Sequence, residues 1–173
     1  MGKASVKKNK SIYQTTRERL ELSREAASEL MVGITPERLE RLENGKQPIL
    51  PEDVLAMAKA YNAPILCNRY CAEDCPIGRK TVRAIEPKEL AQLVLETLDS
   101  LNSLGDSSGR LISISADSLI KENELAAFVE IQAELERIAF AAEGLRLWVE
   151  QGLAEGRIDP LRYAELRKRL SQT

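Results

Sequence analysis

A chain of 173 residues with 43% apolar and 30% charged residues lies in the globular range, with room for one ordinary domain or two small ones. Two Phe, one Trp and four Tyr leave its cores to Leu, Ile, Val and Ala, a composition that favours helices, and a net charge of −2 argues against a general nucleic-acid coat protein. No apolar run nears the ~18 residues of a membrane span, and Met-Gly-Lys-Ala-Ser-Val at the start lacks both the apolar stretch of a secretory signal and, with Val6, the hydroxyl residue of a myristoylation motif. A cytoplasmic protein with no membrane partner is expected.

In chain order, residues 1–10 carry Lys3, Lys7, Lys8 and Lys10 and read as a flexible basic arm, either simply solvated or adding phosphate contacts. A first helix is expected over Ser11–Leu22, with Ile12, Thr16 and Leu20 facing inward at four-residue spacing. Ser23 is an N-cap followed by the acid Glu25, and Ala26, Ala27 and Leu30 give the second helix a small apolar face. Gly33 breaks it. Thr35 caps again, Pro36 takes the first helical position, Leu39 and Leu42 carry the apolar face, and Asn44-Gly45 ends this third helix. After a loop over residues 46–50, Pro51–Asn62 forms a fourth helix with Val54, Leu55, Ala58 and Tyr61 inward.

Two short helices around a tight turn form the layout that presents one helix to a DNA major groove. The segment from Tyr13 to Pro64, about a third of the chain, resembles the lambda-repressor-like (Cro/C1, or XRE) helix-turn-helix domain. The resemblance rests on Leu22-Ser23-Arg24-Glu25, Ile34-Thr35-Pro36-Glu37-Arg38-Leu39, Glu43-Asn44-Gly45-Lys46 and the closing helix Leu55–Tyr61. Two departures stand out. The turn between the second and third helices is one residue longer than the commonest pattern, and Arg24 stands where Gln is frequent.

The resemblance implies a five-helix domain that binds double-stranded DNA, with Arg24, Thr35, Glu37, Arg38, Arg41 and Lys46 at the family's contact positions. Their chemistry suits the role. Arg38 and Arg41 can read guanine or bind phosphate, and Glu37 can accept from cytosine N4. Arg24 and Thr35 sit at helix N-termini, where backbone N–H groups also meet phosphate, and Lys46 can hold the backbone beyond the Asn-Gly turn. Against this, Glu37, Glu40 and Glu43 share the short reading helix. Glu37 and Arg41 are spaced for an i,i+4 pair, and Glu43 is expected to serve the fold.

Cys67, Cys71 and Cys75 stand four residues apart, a spacing that stacks them along one face of a fifth helix. Packed thiols, a metal or redox site, and pairing between subunits all remain open. Structural zinc takes four ligands, and the chain holds three Cys and no His. Cys-Pro-Ile-Gly at residues 75–78 also ends the helical head. A similar tail follows helix-turn-helix domains in some Gram-positive proteins, which implies no function.

Beyond a loop over residues 79–86, a helix is expected from Pro87, with Leu90, Leu93, Val94, Thr97, Leu98 and Leu101 as its stripe and a break at Leu104–Gly109. Residues 111–115 read as a linker. A long helix from Asp117 or Ser118 to Ala154 carries Phe128, Ile131, Leu135, Ile138, Ala142, Leu145 and Val149 at alternating three- and four-residue steps, a heptad seam that needs a partner. That partner is either the 88–104 helix of the same chain or a second subunit. Dimerisation through this seam is the favoured expectation. A last helix, Leu161–Leu170, should turn Tyr163, Leu166 and Leu170 inward.

The expected architecture is thus all-α: an arm (1–10), a helix-turn-helix domain with a Cys-bearing end (11–78), and a helical, coiled-coil dimerisation region (79–173). Charge follows this division mildly. Residues 1–80 hold 14 Lys/Arg against 11 Asp/Glu, and residues 81–173 hold 11 against 16. With no His, no Gly-rich phosphate loop and no paired nucleophile and base, neither an enzyme nor a cofactor is expected. A sequence-specific transcriptional regulator acting as a homodimer is the leading reading. The alternative is a protein-interaction module whose helix-turn-helix head no longer binds DNA.

Overall fold

The computed structural model of the chain describes residues 10–115 and 119–171. Lys3, Lys7 and Lys8 of the expected arm lie outside those residues, as does the expected start of the long helix at Asp117 or Ser118. Among the described residues every regular element is helical. Two compact units form: residues 1–85 with 150–173, and residues 86–149.

The first unit contains α1 (Ile12–Arg19), α2 (Arg24–Glu29), α3 (Pro36–Glu43), α4 (Pro51–Ala60) and α5 (Ile65–Arg69). Each early helix starts on a hydroxyl cap: Ser11 Oγ accepts from the Gln14 amide (3.2 Å), Ser23 Oγ from Ala26 (3.1 Å), and Thr35 Oγ1 from Arg38 (3.3 Å). These caps satisfy amides that have no partner inside the helix. Gly33 adopts φ +81° in the turn, a conformation that costs an L side chain energy and glycine almost nothing. The core joins Tyr13, Ala27, Leu39, Leu42, Val54, Met57 and Leu66.

Among the first four helices, three inward faces differ from expectation; on α2 Ala27 is buried but Leu30, at the C-cap, is exposed. Leu20 is exposed because α1 ends at Arg19 and Glu21 turns left-handed (φ 56°); Tyr13, Gln14 and Arg17 take the buried face beside Thr16. On α4, Met57 rather than Leu55 joins Val54 and Ala58 in the core, and Leu55 is exposed.

After α5 the backbone widens into a π-helical turn over Tyr70–Asp74, closed by the Cys75 amide donating to the Tyr70 carbonyl (2.9 Å). The short α6 (Gly78–Thr81) then folds back so tightly that a Cβ on Gly78 would lie 2.1 Å from the Cys71 carbonyl oxygen. Only glycine fits there. Residues 150–154, the end of α8 (Glu122–Ala154), also belong to this unit, and Gln151 Nε2 donates to the Asn62 carbonyl (3.0 Å). The last helix, α9 (Pro160–Leu170), is capped by Asp159 Oδ1, which accepts from the Leu161 (2.9 Å) and Arg162 (3.1 Å) amides. Its expected inner face does not form. Tyr163 is half-buried, whereas Leu166 and Leu170 are exposed, and the helix rests on its cap and on Glu165, which accepts from Arg162 and Arg169.

The second unit pairs α7 (Leu90–Ser115) with the part of α8 up to Val149. Six residues of sequence separate the two helices, and Leu93 near the start of α7 meets Gly144 near the far end of this part of α8, so they are antiparallel neighbours. Neither the break at Leu104–Gly109 nor the linker at 111–115 materialises: both are helical. The reason lies in the buried positions of α7, which run Leu93, Ser100 and Ile114 with half-buried Thr97, Leu104 and Leu111 between them. One heptad seam thus continues through the glycines, and its burial outweighs the roughly 1 kcal/mol that each helical Gly costs.

On α8 the inward residues are Ile131, Glu134, Ala141, Gly144 and Leu147, with Ile138 half-buried. Within this unit the expected seam is therefore rotated. Ile131 is buried and Phe128, Ile138 and Val149 are half-buried, but Leu135, Ala142 and Leu145 are exposed. Gly144 explains the shift, because a Cβ there would come within 3.1 Å of Leu93 Cδ2. The small residue draws α7 onto its own side of the helix. Glu134, buried in that seam, pairs with Arg137 one turn on.

Candidate nucleic-acid interface

Helix α3 is held from behind by a buried ionic clamp. Glu43, whose side chain is 0% exposed, accepts from Arg17 Nε (2.6 Å), Arg17 Nη2 (2.9 Å) and Arg24 Nε (2.9 Å). Arg17 Nη1 also donates to the Leu22 carbonyl (2.6 Å). One carboxylate thus ties α1, the start of α2 and the end of α3 together. A second clamp holds the other end of α3. Arg38 makes a two-pronged pair with Asp53 of α4 (Nη1–Oδ1 2.8 Å, Nη2–Oδ2 3.0 Å) and donates to the Gly33 carbonyl (3.2 Å). Asp53 Oδ2 in turn accepts from the Leu50 amide (3.2 Å), capping α4.

These clamps divide the six expected contact residues. Arg24 and Arg38 are half-buried and engaged with carboxylates. Thr35, Glu37, Arg41 and Lys46 are exposed, with Glu40 beside them. Glu37 stays below the usual carboxylate range because its own backbone N–H and the Thr35 hydroxyl bond to the ionised form. Glu25, at the start of α2, is lowered in the same way by its own backbone N–H and by Ser23. Arg41 reaches toward Gln47 Oε1 (3.4 Å), not toward Glu37 as the i,i+4 spacing suggests. The exposed face is therefore of mixed sign: a positive Arg41–Lys46 end and an acidic end at the helix N-termini.

Arg17 and Asp53 are the residues that sequence reasoning missed. Arg17 lies 26 positions from its partner and Arg38 lies 15 from Asp53, so no local spacing announces either pair. The cysteines are placed differently from a stacked face. Cys67 sits on α5, Cys71 in the π-helical turn and Cys75 after it, all half-buried and none in a disulfide. Among the described residues no three His, Cys, Asp or Glu side chains gather as a metal set. Cys75 Sγ accepts from the Gly78 amide (3.4 Å), and burial pushes the Cys67 thiol up, with the neighbouring Cys71 adding to the shift. Of the three, Cys67 packs against the core of the first unit.

No helix among the described residues is long and apolar enough to cross a membrane. No curated protein and no solved structure matches the chain. Residues 14–65 match the family described as a helix-turn-helix domain. With α2, the Gly33 turn and the capped α3 in place, this segment is a helix-turn-helix domain consistent with the lambda-repressor-like (XRE) family, and such a domain suggests DNA binding.

Proposed function

We propose that the chain is a sequence-specific DNA-binding transcriptional regulator that acts as a homodimer in the cytoplasm, with no catalytic activity and no cofactor. One observation carries this reading. Helix α3 is capped at Thr35 and clamped at its two ends through Asp53 and Glu43, leaving Thr35, Glu37, Arg41 and Lys46 exposed to meet a groove and its phosphates. A short reading helix covers only a half-site, so pairing supplies both affinity and site length. The exposed Leu135, Ala142 and Leu145 of α8 support that pairing.

Selection from random double-stranded DNA tests the reading. A two-fold motif should be enriched, bound with an affinity that falls steeply with salt. Absence of any enriched motif overturns it.

A second reading draws on the acidic end of the same face. Glu25, Glu37 and Glu40 are exposed, while Arg24 and Arg38 are held by carboxylates, a balance that suits a basic protein surface. In that case replacing both Arg41 and Lys46 by Ala leaves the chain's association with its protein partner intact and no DNA motif is recovered from the parent protein.

A further inference from the structure

The hairpin of residues 86–149 buries one seam and leaves a second apolar stripe on each helix. On α7 the stripe is Leu90, Val94, Leu98 and Leu101, each 38–50% exposed. On α8 it is Leu135, Ala139, Ala142 and Leu145, all exposed. Val94, Leu98 and Leu101 each follow an inward-facing residue by one position, as do all four on α8, which places them about 100° further around the helix. Because the two helices run in opposite directions, that rotation turns both stripes to the same side of the hairpin. The result is a continuous apolar face.

Its shape is uneven. With Leu93 opposite Gly144, stepping along the antiparallel pair sets Leu98 level with Ala139 and Val94 within one residue of Ala142. The α7 side of the face is therefore a ridge of large side chains, and the α8 side at the same height is a trough of small ones bounded by Leu135 and Leu145. A two-fold axis parallel to the helices brings each ridge over the partner's trough at its own level.

We infer that this face is the homodimer interface, forming a four-helix bundle by ridge-into-trough packing of two α7–α8 hairpins. This deepens, and rests on, the homodimer of the proposed function. Three observations select a second copy as the occupant. The face is self-complementary under one two-fold operation. It carries no charged residue, and the surrounding residues 86–149 hold 12 Asp/Glu against 5 Lys/Arg, which repels DNA and anionic membranes. Its eight side chains expose apolar surface on the order of 500 Å², most of the ~800 Å² that one partner gives a standard interface.

Sedimentation equilibrium of the full chain tests the inference. Wild type should weigh two chains, and Leu98→Glu with Leu101→Glu should weigh one. A second variant guards against unfolding. Ala139→Leu with Ala142→Leu keeps good helix formers and adds apolar surface, yet it fills the trough and should raise the dimer dissociation constant about tenfold or more. Leu161→Glu on the exposed α9 should change nothing. A monomeric wild type, or a filled trough that associates as tightly as wild type, overturns the inference. A monomeric wild type that still enriches a DNA motif leaves the DNA-binding reading standing, whereas an intact dimer that enriches none overturns the DNA reading alone.

Discussion

At the scale of single residues, Glu43 is the keystone of the helix-turn-helix domain. Its carboxylate is fully buried between two arginines, so Glu43→Ala strands Arg17 in the interior. Breaking a buried pair from one side costs about 3–5 kcal/mol, measurable by urea denaturation. Arg24→Ala should cost clearly less, because Arg17 alone still satisfies Glu43 with two hydrogen bonds. Glu37 and Glu25 make a pH prediction. Hydrogen bonds from their own backbone N–H groups, and then from Thr35 and Ser23, lower both below the ordinary value of 4.5. A carboxylate with a depressed folded-state pKa stabilises the fold above its unfolded pKa, and that contribution disappears as pH falls through the folded value. The titration midpoint of Glu37, followed by NMR, should therefore lie below 4.5, and Thr35→Val should move it upward.

At the scale of elements, caps and glycines separate local from tertiary control. Thr35→Ala removes the cap of α3 and should lower stability by about 1 kcal/mol. Gly105 and Gly109 read as a break, yet they lie inside α7 with open space where a Cβ would go. Replacing each with Ala should raise stability by roughly 0.5–1 kcal/mol, seen as a higher melting temperature. Gly78→Ala should do the opposite, since its Cβ would collide with the Cys71 carbonyl. The break was legible as composition but not as structure. Leu104, Leu111 and Ile114 continue a seam that only the opposite helix makes visible.

At the scale of the whole molecule, the reading head should show two kinds of arginine. Arg41→Ala should weaken DNA binding across sequences and reduce the salt slope by about one, the signature of a lost phosphate contact, with little change in melting temperature. Arg38→Ala should lower the melting temperature first, because it releases Asp53 and the Gly33 turn. Both are arginines on one short helix, and the sequence treats them as equals. The partner fifteen residues away separates them.

The helix-turn-helix layout, the caps at Ser23 and Thr35, the Gly33 turn and the all-α class follow from the sequence alone. Each depends on chemistry acting within about one turn of helix: a hydroxyl reaching its own amides, a proline at a first position, a glycine left-handed. The tertiary structure decided what depends on residues far apart in the chain. It chose Arg17 and Asp53 as clamp partners, carried α7 through its glycines, rotated the inward face of α8 toward Gly144 and left Leu166 and Leu170 of α9 in solvent. Periodicity shows that a helix has an apolar side, but the neighbour that packs against it determines which residues are buried.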